Sequence, residues 1–111
     1  MKKSLFLILL ALSLNSNAEV VSAENHGFEI NIERVVKVDQ KTAYEQFINV
    51  AEWWSSAHTF FGDSKNLTIE AKAGGCFCEK SEEKEVLHMT VSYVEPNKEI
   101  RMIGGLGPLQ M

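Results

Sequence analysis

The chain lacks clustered positive charge, a second long apolar run, spaced cysteine pairs and any local nucleophile motif, and each gap removes a class of function. Apart from the Lys2-Lys3 pair, its eleven Lys and Arg stand singly, against fifteen acids. A nucleic-acid or anionic-membrane surface needs cations gathered against phosphates, so neither partner is expected. No serine or cysteine stands in a pattern with a histidine and a carboxylate, so no triad is marked. Internal repeats and low-complexity tracts are also missing.

Both cysteines fall in one triplet, Cys76-Phe77-Cys78. In a regular strand their side chains share a face about 6.6 Å apart at about 3.3 Å per residue, whereas bridged Cβ atoms sit about 3.8 Å apart. A disulfide would therefore need a local bulge, and the expectation is two packed small apolar residues. Tetrahedral zinc draws on two separated ligand pairs, and only His26, His58 and His88 remain to complete one. No metal or other cofactor is expected.

The single long apolar run lies at the start. Lys2 and Lys3 precede the almost wholly apolar Leu5–Leu14, and Ser16-Asn17-Ala18 follows as a small-x-small site, the pattern of a bacterial signal peptide over residues 1–18. The run is about half of the roughly 20 residues a spanning helix needs, and no cysteine follows it closely. Export to the periplasm or beyond, with no stable membrane anchor after cleavage, is the expectation. Removing 18 of 111 residues leaves 93, enough for one domain with a modest core, and its net charge is −6 because nine basic residues face all fifteen acids.

Residues 19–27 show no pattern and are expected to form a flexible lead. From Phe28 an alternation begins. Phe28, Ile30, Ile32, Val36 and Val38 share one parity, which predicts a half-buried strand, with Arg34 interrupting its apolar face. Asp39 suits an N-cap for a helix over about 40–51, carrying Tyr44, Phe47, Ile48 and Ala51 at helical spacing. Residues 57–65 mix aromatics with Gly62 and Asp63 and read as short turns. Strands follow around Leu67–Ala71 and Cys76–Lys80 with a Gly74-Gly75 turn between them. Another runs from Leu87 to Glu95 and a last one starts at Ile100, with Pro96-Asn97 as their turn. This order predicts an α+β fold with an antiparallel sheet. One short helix does not cover such a sheet, so further chain beyond Met111 is expected.

Several of these features together resemble exported members of the START-like (SRPBCC) helix-grip superfamily. They are the strand with its capped helix, the Trp53-Trp54 pair, His58-Thr59-Phe60-Phe61-Gly62, Asn66-Leu67, Gly74-Gly75-Cys76-Phe77-Cys78-Glu79, His88-Met89, and Gly104-Gly105-Leu106-Gly107-Pro108-Leu109-Gln110. The resemblance covers residues 28–111, as a partial domain. It implies a curved antiparallel β-sheet with an N-terminal β-α unit, and a hydrophobic cavity closed by C-terminal strands and a long helix that this chain lacks.

The leading functional expectation is binding of a small apolar or amphipathic ligand. A polyketide cyclase or aromatase activity is the alternative, and an Hsp90-activator-like interaction role is set aside because that partner acts in the cytosol. The sequence leaves any protein partner unknown. Candidate cavity residues are Trp53, Trp54, Phe61, Met89 and Tyr93, with His58 and Arg34 as polar anchors. Adjacent tryptophans leave a helix end about 100° apart, so they are expected to do different jobs. His88 lies on the polar parity of its strand and is expected at the surface or a rim. The Asn66-Leu67-Thr68 sequon reads only as a strand start.

Overall fold

The computed structural model describes residues 16–105. It is α+β, with two antiparallel sheets and one α-helix among the described residues, and the chain divides into two units meeting between Lys37 and Val38. The expected signal peptide falls largely on residues 1–15, outside the described ones. No described helix is long and apolar enough to cross a membrane.

The first unit is a hairpin of β1 (Ser16–Glu24) and β2 (Gly27–Arg34). The parity read from Phe28, Ile30 and Ile32 holds. Opposite them stand Ala23, Val20 and Ala18, so the apolar side chains share one face. The ladder shifts register between Val20 and Ser22, and this bulge at Val21 moves the apolar parity of β1 from 18 and 20 to 23. Residues 19–24 are therefore a paired strand, which corrects the expected patternless lead. β2 stops at Arg34, short of the expected Val38. The half-burial expected of this strand is not met: every residue of β2 is exposed, Phe28 by 76%.

The second unit opens with α1 (Gln40–Ile48). Asp39 caps it: the Thr42 amide donates to Asp39 Oδ1 at 2.7 Å. This bond, from the first turn, holds the Asp39 carboxyl below its ordinary pKa. The Asn49 amide closes onto the Glu45 carbonyl, and 3-10 turns then cover Val50–Glu52, Ser56–His58 and Ser64–Asn66.

Four strands follow, β3 (Leu67–Ile69), β4 (Cys76–Ser81), β5 (Lys84–Glu95) and β6 (Glu99–Ile103), paired antiparallel in chain order. Their turns are local. Glu82 and Asn97 take positive φ at the β4–β5 and β5–β6 turns, and the Lys98 amide donates to the Glu95 carbonyl. Gly75 is required by space: a Cβ there would lie 2.3 Å from the Glu70 carbonyl oxygen.

β5 carries two bulges. Phe77 pairs with Met89 and Cys78 with Leu87, leaving His88 as an extra residue. Val91 pairs with Met102 and Tyr93 with Arg101, leaving Ser92 extra. Each bulge flips the side-chain parity and bends the strand. His88 and Met89 consequently both turn toward the core, Val91 is fully buried, and Leu87 is 49% exposed.

Val50, Leu67 and Phe77 form the core, with Trp54, Ile69, Met89 and Met102 packed around them. Trp54 meets Phe77 edge-on at 5.6 Å. The opposite face of β4 holds a correction. Cys76 and Cys78 are not two packed thiols but are joined by a disulfide, with their Cα atoms 5.4 Å apart. The separation expected of a regular strand does not hold here, since the two Cα atoms have drawn together at the register shift between Phe77 and Cys78.

Candidate functional site

Glu79 follows Phe77 by two residues on β4 and so shares its inward face. Its side chain is fully buried. A buried carboxyl needs partners for both oxygens, and the aromatic turn supplies them. The Phe60 amide donates to Oε2 at 2.9 Å and the Phe61 amide to Oε1 at 2.6 Å. His88 Nε2 lies 3.3 Å from Oε2, delivered there by the bulge that turns it inward. His88 is only 7% exposed. Its imidazole packs 5.0 Å from the Phe77 ring and 6.1 Å from that of Phe60. The surface or rim position expected for His88 is thus corrected, because a bulge reverses the parity on which that expectation rested.

This carboxyl–imidazole pair pins residues 60–61 to the sheet. It also holds the two parts of a proton-transfer couple, a carboxyl orienting an imidazole. A shallow cleft of about 170 Å³ lined by Leu87, His88, Met89, Thr90, Ile103, Gly104 and Gly105 runs beside it.

A second, larger cleft of about 280 Å³ lies between α1 and the β5–β6 turn. Ala43, Tyr44 and Phe47 line it from the helix and Ile100 from β6, with Gln40, Asn97 and Lys98 completing the wall. The Tyr44 hydroxyl oxygen is buried and has no hydrogen-bond partner among the described residues. Lys98 is held by Glu95 at 2.9 Å.

The sequence-derived candidates scatter. Trp54, Phe61 and Met89 gather around Phe77 and Glu79: Trp54 packs the core and donates its indole N–H to the His58 carbonyl at 3.0 Å, Met89 packs on the core, and Phe61 contributes its backbone amide. Trp53 stays with the helix end, donating to the Phe47 carbonyl at 3.2 Å and lying 5.9 Å from the Phe47 ring. The two tryptophans do divide their work. The His58 side chain is exposed. Tyr93 faces outward under the Arg101 guanidinium, 4.5 Å from its ring centre. Arg34 ends β2 in the first unit and is exposed.

None of those candidates lines the larger cleft; Tyr44, Phe47 and Ile100 do. Their signal was the helical spacing of Tyr44 and Phe47, which the sequence alone assigns to core packing. Glu79 was discoverable from its shared parity with Phe77. Among the described residues no group of three or more His, Cys, Asp and Glu side chains is placed to hold a metal ion. Comparison with known protein families, with curated proteins and with solved structures finds no match.

Proposed function

We propose that this chain is an exported binding module of the START-like helix-grip type that takes a small, largely apolar molecule bearing one polar group. The observation that carries the reading is an apolar cleft of about 280 Å³ lined by Tyr44, whose hydroxyl is buried and has no hydrogen-bond partner among the described residues. A buried hydroxyl without a partner is costly. An amphipathic ligand whose apolar body rests on Ala43, Phe47 and Ile100 supplies the missing hydrogen bond once the Tyr44 side chain turns its hydroxyl into the cleft. The helix-grip assignment draws support from the α+β order, the antiparallel meander and the two bulges that bend β5.

Native mass spectrometry of the full chain, purified from an exporting bacterial host, tests this. The expected result is a co-purifying apolar mass that Tyr44→Phe weakens roughly ten-fold, the worth of about one hydrogen bond, with an unchanged circular dichroism spectrum. Wild-type protein free of any bound mass, and unshifted in melting temperature by fatty acids or aromatic polyketide analogues, overturns it.

A cyclase- or aromatase-like activity is the second reading, favoured by the convergence of Glu79 and His88 in one buried pair. Glu79→Gln keeps the shape of the side chain and removes its acid. Turnover of a poly-β-keto substrate analogue that is abolished in Glu79→Gln would move the assignment from carrier to enzyme.

A further inference from the structure

The Cys76–Cys78 bond encloses a single residue. Loop-closure entropy removed from the unfolded chain grows with the number of residues enclosed, so this bond does little for stability through the unfolded state. It sits on the face of β4 opposite Phe77 and Glu79. There Cys76 is half-exposed and Cys78 is buried. The bond also shortens its strand. The two Cα atoms are 5.4 Å apart, against about 6.6 Å for two steps of a regular strand at about 3.3 Å each. That contraction lies opposite the His88 bulge, where Cys76 pairs with Thr90 and Cys78 with Leu87. Three residues of β4 face four of β5. The residue between the two cysteines is Phe77, whose ring touches both Trp54 and His88.

We propose that Cys76–Cys78 is an exchangeable redox site opened by low-molecular-weight thiols through attack at Cys76 Sγ, and that its opening lengthens β4 beneath Phe77 and loosens the Glu79–His88 seat. A thiolate attacks the sulfur of Cys76, the less buried of the two cysteines. A new bond forms between the incoming sulfur and Sγ of Cys76, the Cys76–Cys78 bond breaks, and its electron pair leaves on Cys78 Sγ, which takes a proton from water. A second thiolate attacks the incoming sulfur of this mixed disulfide and releases Cys76 as a thiolate that is then protonated. Overall, two small thiols become one small disulfide and the protein disulfide becomes two thiols. A small disulfide reverses the sequence. Reduced β4 can relax toward regular spacing, which shifts Phe77 against the His88 ring that packs on it while the extra residue of β5 stays in place. This inference does not depend on the ligand-binding reading.

The test uses the full chain in native buffer. Thiol alkylation and intact mass are followed before and after millimolar reduced glutathione, then after oxidised glutathione. Nuclear magnetic resonance reports the His88 ring and hydrogen exchange at the Phe60 and Phe61 amides. The expected result is a closed bond on isolation that opens without denaturant, gaining the mass of two hydrogens, and recloses on oxidation. Opening shifts the His88 ring signals and speeds amide exchange at Phe60 and Phe61, which a merely local bond cleavage would leave unmoved. Cys78→Ser, retaining the less buried thiol, captures oxidised glutathione roughly ten-fold faster than Cys76→Ser, following access to the attacking sulfur. A bond that opens only on unfolding overturns the exchangeable site. Opening that leaves His88, Phe60 and Phe61 unchanged overturns the coupling, and equal capture rates overturn attack at Cys76. Should either serine variant fail to fold, the wild-type titration decides alone.

Discussion

Glu79 and His88 meet because β5 carries one more residue than β4 between the Phe77–Met89 and Cys78–Leu87 pairs. Without that extra residue His88 keeps the outward parity of Thr90, and the Glu79 Oε2 atom loses its imidazole neighbour. One inserted residue thus links the sheet to the aromatic turn that covers it.

Replacing Glu79 with Ala leaves the Phe60 and Phe61 amides without their acceptor and the imidazole without its carboxyl. Stability is expected to fall by about 2–3 kcal/mol, the cost of leaving partly buried donors unsatisfied. Urea unfolding measures the loss. Unchanged stability would show that the turn does not depend on this anchor.

Phe77 fills the centre of the core between Trp54, Leu67 and His88. Phe77→Ala is expected to cost about 3–5 kcal/mol through lost burial and a residual cavity. A domain this small has about 5–15 kcal/mol in total, so the variant should melt far below the wild type and bind a hydrophobic dye. Phe77→Leu should lie between them.

Gly75 and Gly74 fail for different reasons when changed to Ala. A methyl group at Gly75 meets the Glu70 backbone oxygen at 2.3 Å, and a displaced β3–β4 connection should cost about 1–3 kcal/mol. Gly74 has open space but a φ of +78°, and Ala there should cost about 1 kcal/mol. Thermal melts of the two variants should rank Gly75→Ala as the worse; the reverse order would contradict the packing described.

Asp39 gives a pH dependence whose sign follows from its cap. Its folded pKa is lowered by the Thr42 amide, so its contribution is full above the unperturbed value of about 3.9. The contribution is lost as pH falls through the lower folded value. Asp39→Asn keeps a capping oxygen without titrating. Helicity at residues 40–48, followed by amide exchange between neutral and strongly acid pH, should fall in the wild type and stay flatter in the variant at this cap.

What was legible in the sequence was local. The strand face of Phe28, Ile30 and Ile32, the Asp39 cap, and the turns at Gly74-Gly75 and Pro96-Asn97 each rest on residues within a few positions of one another. β1 was missed because Val21 breaks its period in the middle. His88 was misplaced for the same reason: a bulge is invisible to a count of alternating side chains. Glu79 falls within the strand expected over Cys76–Lys80 and shares the parity of Phe77, but a carboxylate on that face carries no signal of what it binds. Its burial is decided by two amides eighteen and nineteen residues upstream, a pairing no short window contains. The cleft residues Tyr44 and Phe47 were visible as an apolar helix face, but what that face borders depends on where the β5–β6 turn folds back.

The hairpin of the first unit would set an order of events if the expected leader is cleaved after Ala18. Ala18 stands in register opposite Ile32, and Ser16 and Asn17 opposite Arg34 and Glu33. A peptidase acting after Ala18 must hold this segment as a lone extended strand, and a residue already laddered to β2 cannot enter such a groove. In that case processing and zippering would compete for the same backbone groups. Were the leader removed after Ala18, the cut would come first, and the released protein would close its hairpin with β1 beginning at Glu19, three residue pairs shorter than in the precursor.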